Sequence, residues 1–224
     1  GHQAQPSLGK KVGPTLGEAR AVTISEVLDY AKSVPLISDG LSEPYSPNHT
    51  SGLTTSQHVY RQLEMLACLH GGDYERLASF VLNHNVEPEK RIGPTDLSEL
   101  LGPLCVGLNQ GHWLVLSAVC AFHDSGKLSQ AWGARGQICL DRVEWLAHDF
   151  DSETILRNNP NLLRPMGLTE AQEAIVLHLC RLHSLPGQFF FGEGNLTAYH
   201  SVAADRAWLK VARIQGILDV MSAL

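Results

Sequence analysis

The feature that most constrains this chain is a run of apolar residues, Trp113 to Phe122, that ends on His123 and Asp124. The run is helix-length and apolar on every side apart from Ser117, the pattern of a helix buried in the middle of a bundle. An ionised aspartate at the end of a dry helix is costly unless a cation or a dense set of donors meets it, and a metal ion is the simplest candidate. Ser125 and Gly126 then break the helix, and Lys127 sets a cation one turn away, a position suited to a phosphate oxygen. An isolated His-Asp dipeptide also describes a surface dyad at a helix C-terminus. The apolar approach and the Gly-Lys exit weigh against that bland reading.

The rest of the chain reads as helices and loops, with no alternating strand pattern. Residues 1–20 are rich in Gly and Pro and predict a loose segment. A helix follows over residues 23–32, with Ser25 as its cap and Pro35 as its stop, and residues 38–55 read as a long polar loop. A second helix spans residues 56–69 with His58 in its first turn and ends before Gly71-Gly72. Residues 74–82 predict another helix, and residues 84–110, with Pro88, Gly93, Pro94 and Gly102, an insertion. After the His-Asp stretch, residues 138–145 are amphipathic. Next comes a second dipeptide, His148-Asp149, within an acidic run that also reads as a solvated face.

A late helix beginning at Thr169 carries His178 and His183. Five residues apart, they stand about 140° around the axis and cannot both face one centre. Residues 188–198 form a loop whose Phe189, Phe190 and Phe191 either wall a pocket or pin the loop down. On the last helix, residues 203–224, Asp219 falls between Leu218 and Val220 and is the second carboxylate that asks for a cation. A polar stripe through Gln215 and Ser222 is its alternative. The expected fold is an all-α bundle of roughly six to nine helices, with residues 1–55 as an N-terminal extension and residues 56–224 as the main domain.

Composition limits the function classes. With 44% apolar residues in 224, the chain can bury a core of its own. A net charge of −6 argues against a general nucleic-acid-coating protein and leaves small anionic substrates dependent on a metal and a few local cations. The odd cysteine count and the lack of CxxC spacing predict buried free thiols in a reducing, cytoplasmic setting. The longest apolar run is about half of what a bilayer needs, so no membrane association is expected. Oligomeric state does not follow from the sequence.

The sequence His123-Asp124-Ser125-Gly126-Lys127 resembles the HDxGK hallmark of the HD-domain superfamily of metal-dependent phosphohydrolases. The resemblance implies an HD-like helical bundle and an upstream metal ligand near the start of a long helix. His58 fits that place, with His84 and then His70 as the other candidates. The interval from His58 to the dyad is longer than the family usually allows, which residues 84–110 would explain as a lid. The resemblance further implies a closing ligand at Asp219 and, for a two-metal member, His148 and His183 with Asp124 bridging. His178 is then a core or supporting residue. Lys127 and Arg61 are the expected substrate-binding cations, and Asp124 and Lys127 the expected catalytic residues.

One or two divalent ions, Mn, Fe, Co, Zn or Mg, are implied, with a phosphorylated small molecule, a nucleotide, as substrate and metal-activated water as the nucleophile. Two other classes share the motif: a diiron oxygenase on the same fold, distinguished by redox behaviour, and a non-catalytic ligand-sensing module. Retention of His123, Asp124 and Lys127 counts against the latter.

Overall fold

The structure, a computed structural model, describes residues 22–43, 52–81, 86–128, 143–185 and 205–223, the side chains of residues 143–147 excepted. Expectations for residues 1–20, for His84, for Cys139 and for the aromatic loop at residues 188–198 lie outside them. The described chain is helical and contains no strand: α1 (Ile24–Ser33), α2 (Pro35–Ser38), α3 (Thr55–His70), α4 (Tyr74–Ser79), α5 (Pro94–Cys105), α6 (Gln110–Phe122), α7 (Val143–Asn158), α8 (Glu170–Leu182) and α9 (Arg206–Ala223).

Local chemistry explains where these helices start. Reciprocal capping boxes open α1 with Thr23 and Glu26, α3 with Thr54 and Gln57, α6 with Asn109 and His112, and α8 with Thr169 and Gln172. The cap of α1 is thus Thr23 and not Ser25, because only Thr23 has a glutamate three residues on. Pro35 opens α2 instead of merely closing α1, since at the first helical position its missing N–H costs nothing. The same reasoning applies to Pro94. Part of the stretch expected as an insertion is the helix α5, whose Leu97, Leu101 and Leu104 are buried in the core, so this part is bundle and not lid.

Helix α6 is the axis of the bundle. Every residue from Val115 to Phe122 is buried, and the helix packs against α1, α3, α8 and α9. Phe122 is fully buried, and truncating it to alanine would cost about 3–5 kcal/mol. Its ring meets Tyr30 of α1 edge-on, and the Tyr30 hydroxyl donates to the Leu162 carbonyl at 2.7 Å, tying α1 to the segment between α7 and α8. Burial pushes that hydroxyl up to about 12, so it stays a donor.

Helix α7 packs on α8 and on the 3-10 turn Ser125–Lys127 that follows α6. Cys68, Cys120 and Cys180 are buried thiols and Cys105 a half-buried one. No single helix among the described residues is long and apolar enough to cross a membrane.

Candidate metal centre

The bundle brings one set of polar side chains together at one end. His58 comes from the first turn of α3, His123 and Asp124 from the end of α6, His148 and Asp149 from α7, His183 from the end of α8 and Asp219 from α9. His58 and His123 are fully buried, and Asp124 is 1% exposed. Helices α6 and α8 point their C-termini at the cluster, and backbone dipoles so directed favour a cation there.

The imidazoles are oriented from behind. Nδ1 of His123 lies 3.1 Å from the Cys120 carbonyl, and Nδ1 of His183 lies 2.7 Å from the Cys180 carbonyl. A carbonyl oxygen only accepts, so each Nδ1 carries the hydrogen and each neutral ring presents a bare Nε2 lone pair inward. His58 follows the same logic. Ser222 Oγ gives its hydrogen to the Asp219 carbonyl at 3.0 Å, which leaves it to accept from His58 Nδ1 at 3.1 Å. This arrangement is the outer support that metal-binding imidazoles require.

Those lone pairs face carboxylate oxygens. Asp219 Oδ1 stands 2.8 Å from His58 Nε2 and 3.1 Å from His123 Nε2, and Asp124 Oδ2 stands 3.7 and 3.4 Å from the same two atoms. The other oxygen of Asp124, Oδ1, lies 3.6 Å from His148 Nε2 and 3.4 Å from His183 Nε2, which are 3.0 Å apart. Donors that share one ion at bonds of about 2.1 Å stand about 3.0–3.4 Å from one another. Two groups therefore suit an ion each, one of His58, His123, Asp124 and Asp219 and one of Asp124, His148 and His183. Asp124 belongs to both. Acceptors crowded this closely need positive charge between them, which is the observation that makes the donor set fit divalent ions.

Without an ion, protons and Lys127 supply that charge. Burial pushes Asp124 up, but Lys127, His123, His183 and His58 outweigh it and hold the carboxyl well below its ordinary range. Asp219 is likewise held low against its burial, by His123 and His58. Burial drives His183 down, yet Asp149 and Asp124 overcome it and lift the ring to about 9. Lys127 Nζ pairs with Asp124 Oδ2 at 3.0 Å and remains 15% exposed, between the carboxylate and solvent.

A weld holds the two groups in register. Ser152 of α7 accepts from the Gly126 N–H at 2.8 Å and lies within hydrogen-bonding reach of the His123 and His148 carbonyls. The turn and the helix can approach this closely because residue 126 has no side chain: a Cβ there would stand 2.0 Å from the His148 carbonyl oxygen.

Six expected ligands, His58, His123, Asp124, His148, His183 and Asp219, thus converge, and Lys127 joins them. Arg61 does not: its guanidinium donates to the Phe80 carbonyl at the end of α4, and no contact links it to the cluster among the described residues. Three residues along from His58, it points toward α4, so the substrate-binding role expected of it has no geometric support. His70 sits exposed at the far end of α3 with its ring edge-on to Trp113, and His178 is half-buried away from the cluster, where burial lowers it.

Asp149 was missed in the acidic run, although its position was readable. Residues 148, 149, 152 and 156 fall on one helical face, and all four are buried. Comparison of the chain with protein-family models, curated proteins and solved structures finds no match.

Proposed function

We propose that this chain is a metal-dependent phosphohydrolase of the HD type, cleaving a phosphoester or phosphoanhydride of a nucleotide. The observation that carries the reading is the convergence of four imidazoles and two aspartates, from five helices that are remote in sequence, on two donor groups sharing Asp124. The HDSGK sequence at the hinge between those groups supports the same conclusion. Divalent ions bound there supply Lewis acidity and a water of lowered pKa.

The chain's own residues do the rest. The main-chain carbonyls of Cys120 and Cys180 hold His123 and His183 with Nε2 inward, so the donor set is organised in advance. Asp124 fixes the two groups relative to each other through its two oxygens. Lys127, once an ion takes over the neutralisation of Asp124, has its ammonium group free to meet a phosphoryl oxygen at the rim. The bundle seals the other side of the donors, with His58 and His123 fully buried, which excludes water from behind them.

The test is metal analysis of protein purified without added metal, followed by a panel of mono-, di-, cyclic and dinucleotides. The count of imidazoles also suits iron, which keeps a diiron oxygenase as the second reading. A metal-loaded sample that hydrolyses nothing on the panel but consumes oxygen once reduced selects that reading. A sample that binds no metal removes both.

A further inference from the structure

We infer that Asp149 is a fourth protein ligand of the second ion, which makes that site two histidines and two carboxylates. The inference rests on the two-ion reading above and extends it to a residue outside both donor groups described there. Asp149 Oδ1 lies 3.1 Å from His148 Nε2 and 3.3 Å from His183 Nε2. Those separations are shorter than the 3.6 and 3.4 Å that Asp124 Oδ1 keeps from the same atoms. Two aspartate oxygens therefore stand 3.1–3.6 Å from one pair of imidazole nitrogens, close to the about 3.0–3.4 Å that donors around one ion adopt.

The place that a proton holds between these groups in the metal-free protein is one that an ion can take. In the metal-free protein an imidazolium His183 can donate from Nε2 to Asp149, but in the neutral ring that an ion requires the remaining hydrogen is committed at Nδ1 to the Cys180 carbonyl and Nε2 presents a lone pair beside Asp149 Oδ1. Asp149 is 1% exposed, and a buried carboxylate 3.3 Å from an imidazole nitrogen calls for positive charge between them, from a proton in the metal-free protein or from an ion in its place.

The carboxylate is also aimed from behind, as a ligand should be. Ser184 donates through its backbone N–H to Oδ2 at 3.1 Å and through its hydroxyl to Oδ1 at 2.7 Å. Oδ1 keeps a second lone pair for the ion. With three aspartates serving two divalent ions, the centre retains a net positive charge, which suits an anionic substrate.

The experiment is Mn(II) titration of the full chain and its variants, read by equilibrium dialysis and by electron paramagnetic resonance of the bound ion. The wild-type chain is expected to take two ions per chain. Asp149→Ala should keep the first with unchanged affinity and lose the second. Asp149→Asn, which retains an acceptor for Ser184 and so guards against a folding failure, should weaken the second ion at least tenfold. Ser184→Ala removes the hydroxyl donor and leaves the carboxylate, and should keep both ions. Two tightly held ions in Asp149→Ala overturn the inference, as does equal loss in Asp149→Ala and Ser184→Ala, which would make Asp149 an anchor for the segment after α8. A wild-type chain that binds one ion or none overturns the two-ion reading itself, an outcome distinct from either.

Discussion

Gly126→Ala is the substitution by which the architecture of the centre is most directly tested. The added Cβ would stand 2.0 Å from the His148 carbonyl oxygen and 2.9 Å from Asp151 Cβ, whereas real Cβ atoms essentially never come nearer than 3.0 Å. The first of these neighbours is main chain, so no side-chain rotation relieves the clash. The turn Ser125–Lys127 and helix α7 must separate by about 1 Å, which carries the 2.8 Å bond from Gly126 N–H to Ser152 out of range.

Overpacking of this kind costs about 1–3 kcal/mol and the lost bond about 1 kcal/mol more. The melting temperature should therefore fall by about 5–15 °C. The same separation moves His148 away from Asp124, and metal sites tolerate about 0.5 Å. The second ion should leave while the first stays, and turnover should drop about 100-fold. Gly102→Ala is the control, since its Cβ meets the Tyr74 hydroxyl at an ordinary 3.5 Å and replaces a helical glycine. It should hold or raise stability by up to about 1 kcal/mol. Calorimetry and metal analysis of the two variants decide the matter. A Gly126→Ala protein with both ions at wild-type affinity would refute the reasoning.

Three further outcomes are expected. Asp124→Ala should abolish metal binding at both groups and all activity while the protein stays folded by circular dichroism. Retained metal would place the site elsewhere. Lys127→Ala should lower kcat about 10- to 100-fold with metal affinity unchanged or raised, because in the metal-free protein Lys127 competes with the ion for Asp124 Oδ2. Reduced metal content with normal kcat per ion would contradict that role. Affinity for the second ion should rise about tenfold per pH unit and level off above about 9, where His183 no longer has a proton to surrender. The protonated ring also stabilises the metal-free fold. That contribution is complete below the ordinary histidine value of 6.5 and is lost as the pH rises through about 9, so thermal melts of metal-free protein should decline over that window and added metal should reverse the decline.

How much of this was legible in the sequence depended on the kind of signal. Most helices announced themselves through period, and α6 through apolarity on every side, since propensity and burial act along the chain, whereas the prolines and glycines of α5 disguised it as an insertion. His123 and Asp124 were readable because an acid at the end of a dry helix is an energetic anomaly. Asp219, set between Leu218 and Val220, was raised by the same anomaly and decided by resemblance, and His58, His148 and His183 were placed by resemblance, because the distance between helices is set by packing and leaves no local trace. Asp149 shows the limit most clearly. Its neighbours Asp151 and Glu153 made the run look solvated, and only the face shared with Ser152 and Leu156 told otherwise. Arg61, expected to bind substrate, donates instead to the Phe80 carbonyl, because the packing of α3 against α4 that turns it there leaves no local trace either.

His123 and His183 both stand one residue beyond a helix end, and each ring is steered by the main-chain oxygen three positions back. Their orientation is therefore a property of where α6 and α8 stop, and no neighbouring side chain is needed to set it. Replacing Cys120 or Cys180 by alanine would leave the steering oxygens untouched. Inserting a single residue into α6 would turn its terminus by about 100° and swing His123 out of the cluster. The centre is thus robust to exchange of the side chains behind it and fragile to any change in the length of the helices that deliver it.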